Sequence, residues 1–208
     1  NPAIDETTLR TMVESEILAE EELKKINVLA GEMENALIFG KKYESDLERY
    51  AGGLYDFIQT NVVDGAGSLP LTIDLIDQTM DNLDELGAFD DPMANYVLYV
   101  SPAVYKKFKN MQETEIEKQD NAVLGALKPL TISTTKGEFP IISHRRIPSG
   151  DILIVNLTDI SLKTFRELKQ TDWNDNGRDA YTSQMICEKT FQIKNEEKMA
   201  RLLNLKLN

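Results

Sequence analysis

A chain of 208 residues that is 41% hydrophobic and 28% charged is long enough for one sizeable core and too ordinary in composition for disorder or low complexity. Its 23 basic against 35 acidic residues give a formal charge of −12, which repels phosphate backbones and anionic headgroups and argues against a sequence-general grip on nucleic acid. No apolar run approaches the roughly 20 residues that span a bilayer, Asn1-Pro2-Ala3-Ile4-Asp5 lacks signal-peptide character, and the single Cys187 precludes an intrachain disulfide, so a soluble protein of a reducing cytoplasm is expected.

From residue 6 to residue 39 the apolar residues Leu9, Val13, Ile17, Leu23, Ile26, Ala30, Met33 and Leu37 recur mostly three or four apart, with acids and lysines between them. That spacing predicts one long amphipathic helix. Asp5 is placed to cap it and Gly40 to stop it, and Gly31 inside it should weaken or bend it by about 1 kcal/mol relative to alanine. Such a rod is about 50 Å long, whereas a compact globule of this length is about 40 Å across. The molecule is therefore elongated, or the helix projects into a partner.

Ser45 and Glu48 stand at capping-box spacing, with Leu47, Tyr50 and Leu54 on one face, and predict a short helix before Gly52-Gly53 loosens the pattern. After the turn-rich Asp64-Gly65-Ala66-Gly67-Ser68, Ile73, Ile76, Met80 and Leu83 form the stripe of a second helix over 72–86, closed by Gly87. Residues 96–100 read as a buried strand. Ser101 as cap and Pro102 at the first helical position open a third helix carrying Val104, Tyr105 and Phe108, and the polar stretch 111–127 reads as a mobile loop. The remainder is β: 130–134 and 138–142 flank a Thr135-Lys136-Gly137 turn, followed by 151–155, a short 160–162, a long alternating strand over 181–193 and a closing strand over 201–205. Helices precede strands without regular alternation, so the class is α+β.

Catalytic chemistry finds little to work with. Hydrolytic triads want a histidine, and the one present, His144 in Ser143-His144-Arg145-Arg146, reads as part of an exposed loop or interface cluster. Cys187 lies inside a predicted strand and reads as a small apolar residue. Asp172-Trp173-Asn174-Asp175-Asn176-Gly177 imitates half a calcium loop, but Ser183 stands where the bidentate glutamate belongs and Arg178 adds a positive charge, so it reads as a polar turn. Gly65-Ala66-Gly67 lacks the lysine of a phosphate loop and reads as a connection. Arg166, Lys169 and the Arg145-Arg146 pair place positive charge on an acidic background, which suits salt bridges between subunits. Glu20-Glu21-Glu22 reads as the solvated face of the first helix. No catalytic, cofactor-binding or metal residue is assigned.

The order of segments resembles the major capsid proteins of tailed bacteriophages with the Hong Kong ninety-seven fold. Glu34-Asn35-Ala36-Leu37-Ile38-Phe39-Gly40 is similar to the end of that family's spine helix, and Arg49-Tyr50-Ala51-Gly52-Gly53-Leu54-Tyr55-Asp56-Phe57-Ile58 to the segment after it. Leu98-Tyr99-Val100-Ser101-Pro102 resembles the strand into its axial lobe, and Cys187-Glu188-Lys189-Thr190-Phe191-Gln192-Ile193-Lys194-Asn195 the terminal strand and turn, with 202–205 closing the sheet. The resemblance implies a peripheral domain (1–67 with the spine helix, 159–208 as return strands) and an inserted axial domain (68–158). It implies a non-enzymatic structural subunit of an icosahedral phage head, assembling with itself into pentamers and hexamers around double-stranded DNA, without a membrane. Scaffold and portal proteins are the further partners, and the location is the virion, assembled in the bacterial cytoplasm. The N-terminal arm and extended loop that precede the spine helix in that family are expected to be missing from these residues. Two alternatives stand beside this: an encapsulin-like bacterial compartment shell, and a small hydrolase using His144 with nearby acids.

Overall fold

Periodicity correctly placed the longest element: α1 spans Glu6–Phe39. The computed structural model describes residues 6–111, 116–118, 130–174 and 181–207, so the Asp5 cap lies outside the described residues. Among those residues no helix is long and apolar enough to cross a membrane. The helix ends where Gly40 N–H donates to the Ala36 carbonyl at 2.8 Å, and Gly53 N–H returns to the Gly40 carbonyl at 2.8 Å. A Cβ on Gly53 would sit 2.6 Å from the Ile38 carbonyl oxygen, and one on Gly40 2.4 Å from those of Ala36 and Ala51. Two backbones touch here, and only glycine lets them.

The helix expected after Ser45 does not form. Tyr43–Glu44 (β1) and Arg49–Tyr50 (β2) pair antiparallel instead. Ser45 Oγ accepts from the amides of Glu48 (3.0 Å) and Leu47 (3.4 Å). A serine hydroxyl facing the amide three residues on serves a turn as well as an N-cap. With Gly52-Gly53 close behind, too little helix could follow to offset nucleation, while Tyr43 and Tyr50 stack across the strands at 6.0 Å. Leu47 is 95% exposed rather than part of a buried stripe. A single helical turn, α2 (Leu54–Phe57), comes later.

Beyond it lie β3 (Asn61–Asp64), α3 (Ile73–Glu85), β4 (Tyr96–Val100), α4 (Pro102–Asn110), β5 (Ile116–Lys118), β6 (Leu130–Thr134), β7 (Gly137–Ser143) and β8 (Ile152–Asn156). The cap expected at Ser101 is made, its Oγ accepting from Val104 N at 3.3 Å; α3 is capped as well, by Thr72 Oγ1 accepting from Leu75 N at 3.2 Å. Gly87, at φ +72°, closes α3 as its N–H reaches the Asp84 carbonyl at 2.7 Å. β5 corrects the expectation of an irregular loop, because these three residues are ordered by pairing with β6; the rest of 112–129 lies outside the described residues.

Seven strands make one sheet in the order β3-β11-β8-β4-β7-β6-β5, with β11 at Ala200–Leu203. The pairs β4–β7 and β11–β3 are parallel and the others antiparallel. The sheet that 68–158 dominates is thus completed by one strand from each side of that segment. β8 is buried throughout and alternates between two cores: Ile152 and Ile154 meet Ile76, Met80, Leu83, Val104 and Phe108 of α3 and α4, whereas Leu153 and Val155 meet Leu54, Ile58, Ile147 and Met199 on the opposite face.

Besides this sheet and the small β1–β2 pair there is another two-stranded sheet. β9 (Ile160–Asn174) and β10 (Tyr181–Ile193) form a long antiparallel ribbon. Only 160–162 had been expected of β9. The charged, both-sides-exposed run that follows has no hydrophobic alternation to show it, and backbone pairing alone makes it a strand.

Gly53→Ala should destabilise the fold by about 2–3 kcal/mol through overpacking of two backbones. Gly67→Ala, at φ +71° with nothing within 4 Å of the new Cβ, should cost only the left-handed backbone term of about 1–2 kcal/mol. Urea unfolding of the two variants checks the order.

Candidate assembly surface

One carboxylate ties the long helix to the sheet. Glu34 Oε1 receives His144 Nε2 at 2.8 Å, and Glu34 Oε2 receives Arg146 Nε at 2.7 Å, with Arg145 Nη2 at 4.0 Å. The donors come from the β7–β8 connection, so a loop of the sheet grips the last turns of α1. Arg146 foremost, and then His144, hold the Glu34 carboxyl below its ordinary range. Gly31, one turn earlier, lies beneath the Arg146 guanidinium: a Cβ there would be 3.0 Å from its Nη2. The glycine expected to weaken or bend the helix gives the arginine its seat. His144 and Arg146 are partly buried (side chains 23% and 26% exposed), so the expected exposed loop is a joint within the chain; only Arg145, 79% exposed, faces solvent.

Both nitrogens of His144 are used, since the Arg146 amide points at Nδ1 (3.4 Å) while Nε2 meets the carboxylate. This geometry fits an imidazole that donates from Nε2 and accepts at Nδ1, leaving no ring nitrogen to take a proton from a nucleophile. Cys187 Sγ lies 3.9 Å from Met33 Sδ, a packing contact of β10 with α1 in keeping with its reading as a small apolar residue. The amides of Gly65 and Gly67 donate to the Leu203 and Asn204 carbonyls, both at 2.8 Å, and that of Ala66 to Asp64 Oδ1 at 2.9 Å, so this connection has no free N–H group for a phosphate. Asp172 to Asn174 of the calcium-like stretch belong to β9; residues 175–180 lie outside the described residues. Among the described residues no cluster of His, Cys, Asp and Glu could hold a metal ion.

Three further ties, invisible to motif reading, fix the lobe. Tyr55 Oη donates to buried Asp151 at 2.8 Å, and burial followed by that carboxylate pushes its phenol far up. Arg201 donates to the Tyr55 carbonyl and lies 5.9 Å over its ring. Burial opposes ionisation of Glu196, but the Thr60 hydroxyl and the amides of Gln59 and Thr60 outweigh it and hold the carboxyl below its ordinary range.

What remains open is apolar surface on the long elements. Ile17, Leu23 and Val28 of α1 are 56%, 63% and 56% exposed, and Phe165 of β9 is 83% exposed. Leu18, Val28 and Leu29 line a groove between α1 and Met185 of β10, edged by Glu21, Glu22 and Lys25. A long helix and a long ribbon that leave apolar groups in water form a surface for packing.

A family model for the SU10 major capsid protein matches residues 6–206. The chain belongs to that family. None of the curated proteins matches this capsid protein, but solved structures do. The holo-SrpI encapsulin complex from Synechococcus elongatus PCC 7942 is 16% identical, with a TM-score of 0.59 over 92% of this chain and 66% of that one. The satellite phage P4 procapsid including size determination (Sid) protein is 14% identical, with a TM-score of 0.51 over 95% of this chain and 64% of that one. At such identities the likeness speaks for fold, and the fold is the Hong Kong ninety-seven fold expected from the sequence. The chain spans just under two thirds of the length of these two structures.

Glu34→Gln should lower stability near neutral pH by about 1 kcal/mol, at the low end for charged hydrogen bonds because the carboxylate is partly solvated. Glu34 has a depressed folded-state pKa, so its contribution is complete above the ordinary value of 4.5 and is lost as pH falls through the depressed one. The deficit of the variant against wild type should therefore shrink in acid, as chemical denaturation across that range would register.

Proposed function

We propose that this capsid protein is the folded body of a non-enzymatic shell subunit that packs with its own copies into the pentamers and hexamers of an icosahedral phage head around double-stranded DNA. The observation that carries the reading is the exposed apolar surface of α1 and β9. About 34 residues of helix, some 50 Å long, are held by the Glu34 joint, by buried Ile38 and by ribbon contacts at Glu22 and Met33, while Ile17, Leu23 and Val28 stay in water. Neighbouring subunits would cover them. The occupied nitrogens of His144 speak against the hydrolase alternative. A bacterial compartment shell shares the fold; the match to a phage capsid family over residues 6–206 favours the head.

Within such a subunit, α1 and the β9–β10 ribbon form the peripheral part, and 68–158 the axial part, its sheet completed by β3 and β11. Scaffold and portal proteins are the partners proposed for assembly in the host cytoplasm, and the acidic net charge lets packaged DNA lie against the shell without sticking.

Expressed from its whole gene, the protein should form rings or closed shells visible by electron microscopy. Ile17→Glu combined with Leu23→Glu should leave folded monomers, because a carboxylate in the middle of an apolar contact forfeits it. Monomers of the wild type at every concentration and with every scaffold would overturn the reading.

A further inference from the structure

One face of the ribbon gathers cations on a chain that is acidic as a whole. On β10, alternate residues share a face. Ser183 and Met185 line the groove with α1, and Cys187 touches Met33, so the odd-numbered residues of that stretch face α1. The even-numbered ones face away, and Ile186, Glu188 and Thr190 pair with Lys169, Arg166 and Lys163 of β9. In a regular strand, residues three apart point to opposite faces. Here the register slips between Ile186 and Glu188 and again between Glu188 and Lys189, so β9 inserts one extra residue each time and all three cations land on the outer face. At the paired positions of that face Glu188 is the acidic side chain, 3.4 Å from Arg166. Phe165, left without a partner at the second slip, is the exposed aromatic beside them.

The complementary surface is on α3. Its sequence Ile-Asp-Leu-Ile-Asp-Gln-Thr-Met-Asp-Asn-Leu-Asp-Glu holds five carboxylates and no basic residue. Lys136 pairs with Asp81 (3.3 Å) and Asp84 (2.6 Å); Asp74 and Glu85, both exposed, lie eleven residues apart on one stripe, about 16 Å along the axis. The cationic row opposite Ile186 to Thr190 is about 14 Å long. The two rows match in length and oppose in sign.

We propose that the outer face of the β9–β10 ribbon docks on the acidic face of α3 of a second copy of this chain, with Phe165 as its apolar anchor near the exposed Leu86 (44%). The contact is heterologous, joining different surfaces of the two copies, and so propagates around a ring. It rests on the self-association proposed above and names the surfaces responsible. Opposed rows of charge fix register and hasten encounter, while the aromatic supplies the anchor.

Charge reversal tests it without touching the Arg166–Glu188 or Lys136 pairs. Lys163→Glu with Lys169→Glu on the ribbon, and Asp74→Lys with Glu85→Lys on the helix, should each weaken self-association about ten-fold or more in sedimentation at low salt, with unfolding transitions like the wild type's. An equimolar mixture of the two variants should associate again, because reversed ribbon meets reversed helix. Phe165→Ser should weaken association at high salt as well. Wild-type association that survives both reversals overturns the assignment alone. So does a ribbon reversal that spares association but abolishes binding to a short DNA duplex, since the row would then face phosphate. A wild type that never associates overturns the proposed function together with it.

Discussion

The structure depends on how a long helix is held by a small number of groups. Among the described residues, Glu34 is the acid at which α1 meets the sheet through ion pairs, and an imidazole and two guanidinium groups of one loop converge on it. A carboxylate with two oxygens on two donors is directional, so the joint sets the angle of the helix as well as its attachment. Gly31 opens the path for Arg146, and the Gly40–Gly53 backbone contact immediately below prevents the helix end from sliding. Hydrophobic burial does little of this work toward the other end of α1, where large apolar side chains remain exposed.

Behind the joint the sheet is over-determined. β8 gives alternate residues to two cores, so neither face can slip in register without moving the other. Such a strand ties the two cores into one body. Rigidity is concentrated where the chain packs on itself, and exposed apolar surface lies on α1 and the ribbon.

Legibility followed local signals. α1, the cap at Ser101, the Thr135-Lys136-Gly137 turn and β10 were readable because periodicity or a hydroxyl at fixed spacing produces them within a few residues. β3, β5 and most of β9 were not, since each is a strand only through a partner brought to it by the fold. Ser45 was ambiguous by nature, one hydroxyl serving a turn and a cap alike. The family resemblance was carried by segment order, which survives where residue identities do not. The Glu34 joint was missed because its members are 110 and 112 positions apart. His144 and the two arginines were noticed as a cluster without their acid, and the face on which Lys163, Arg166 and Lys169 emerge depends on two register slips that no spacing rule supplies.

The place of β11 has a consequence in time. It lies between β3 and β8, pairing Ala200 with Asn61 on one side and Ile154 on the other. Until residues near 200 leave the ribosome, the sheet has a gap between strands already made, and closing a loop of well over a hundred residues is slow compared with forming local helices. The sheet therefore stays unfinished until β11 has been synthesised. Translation itself thus sets the earliest moment at which the sheet can close.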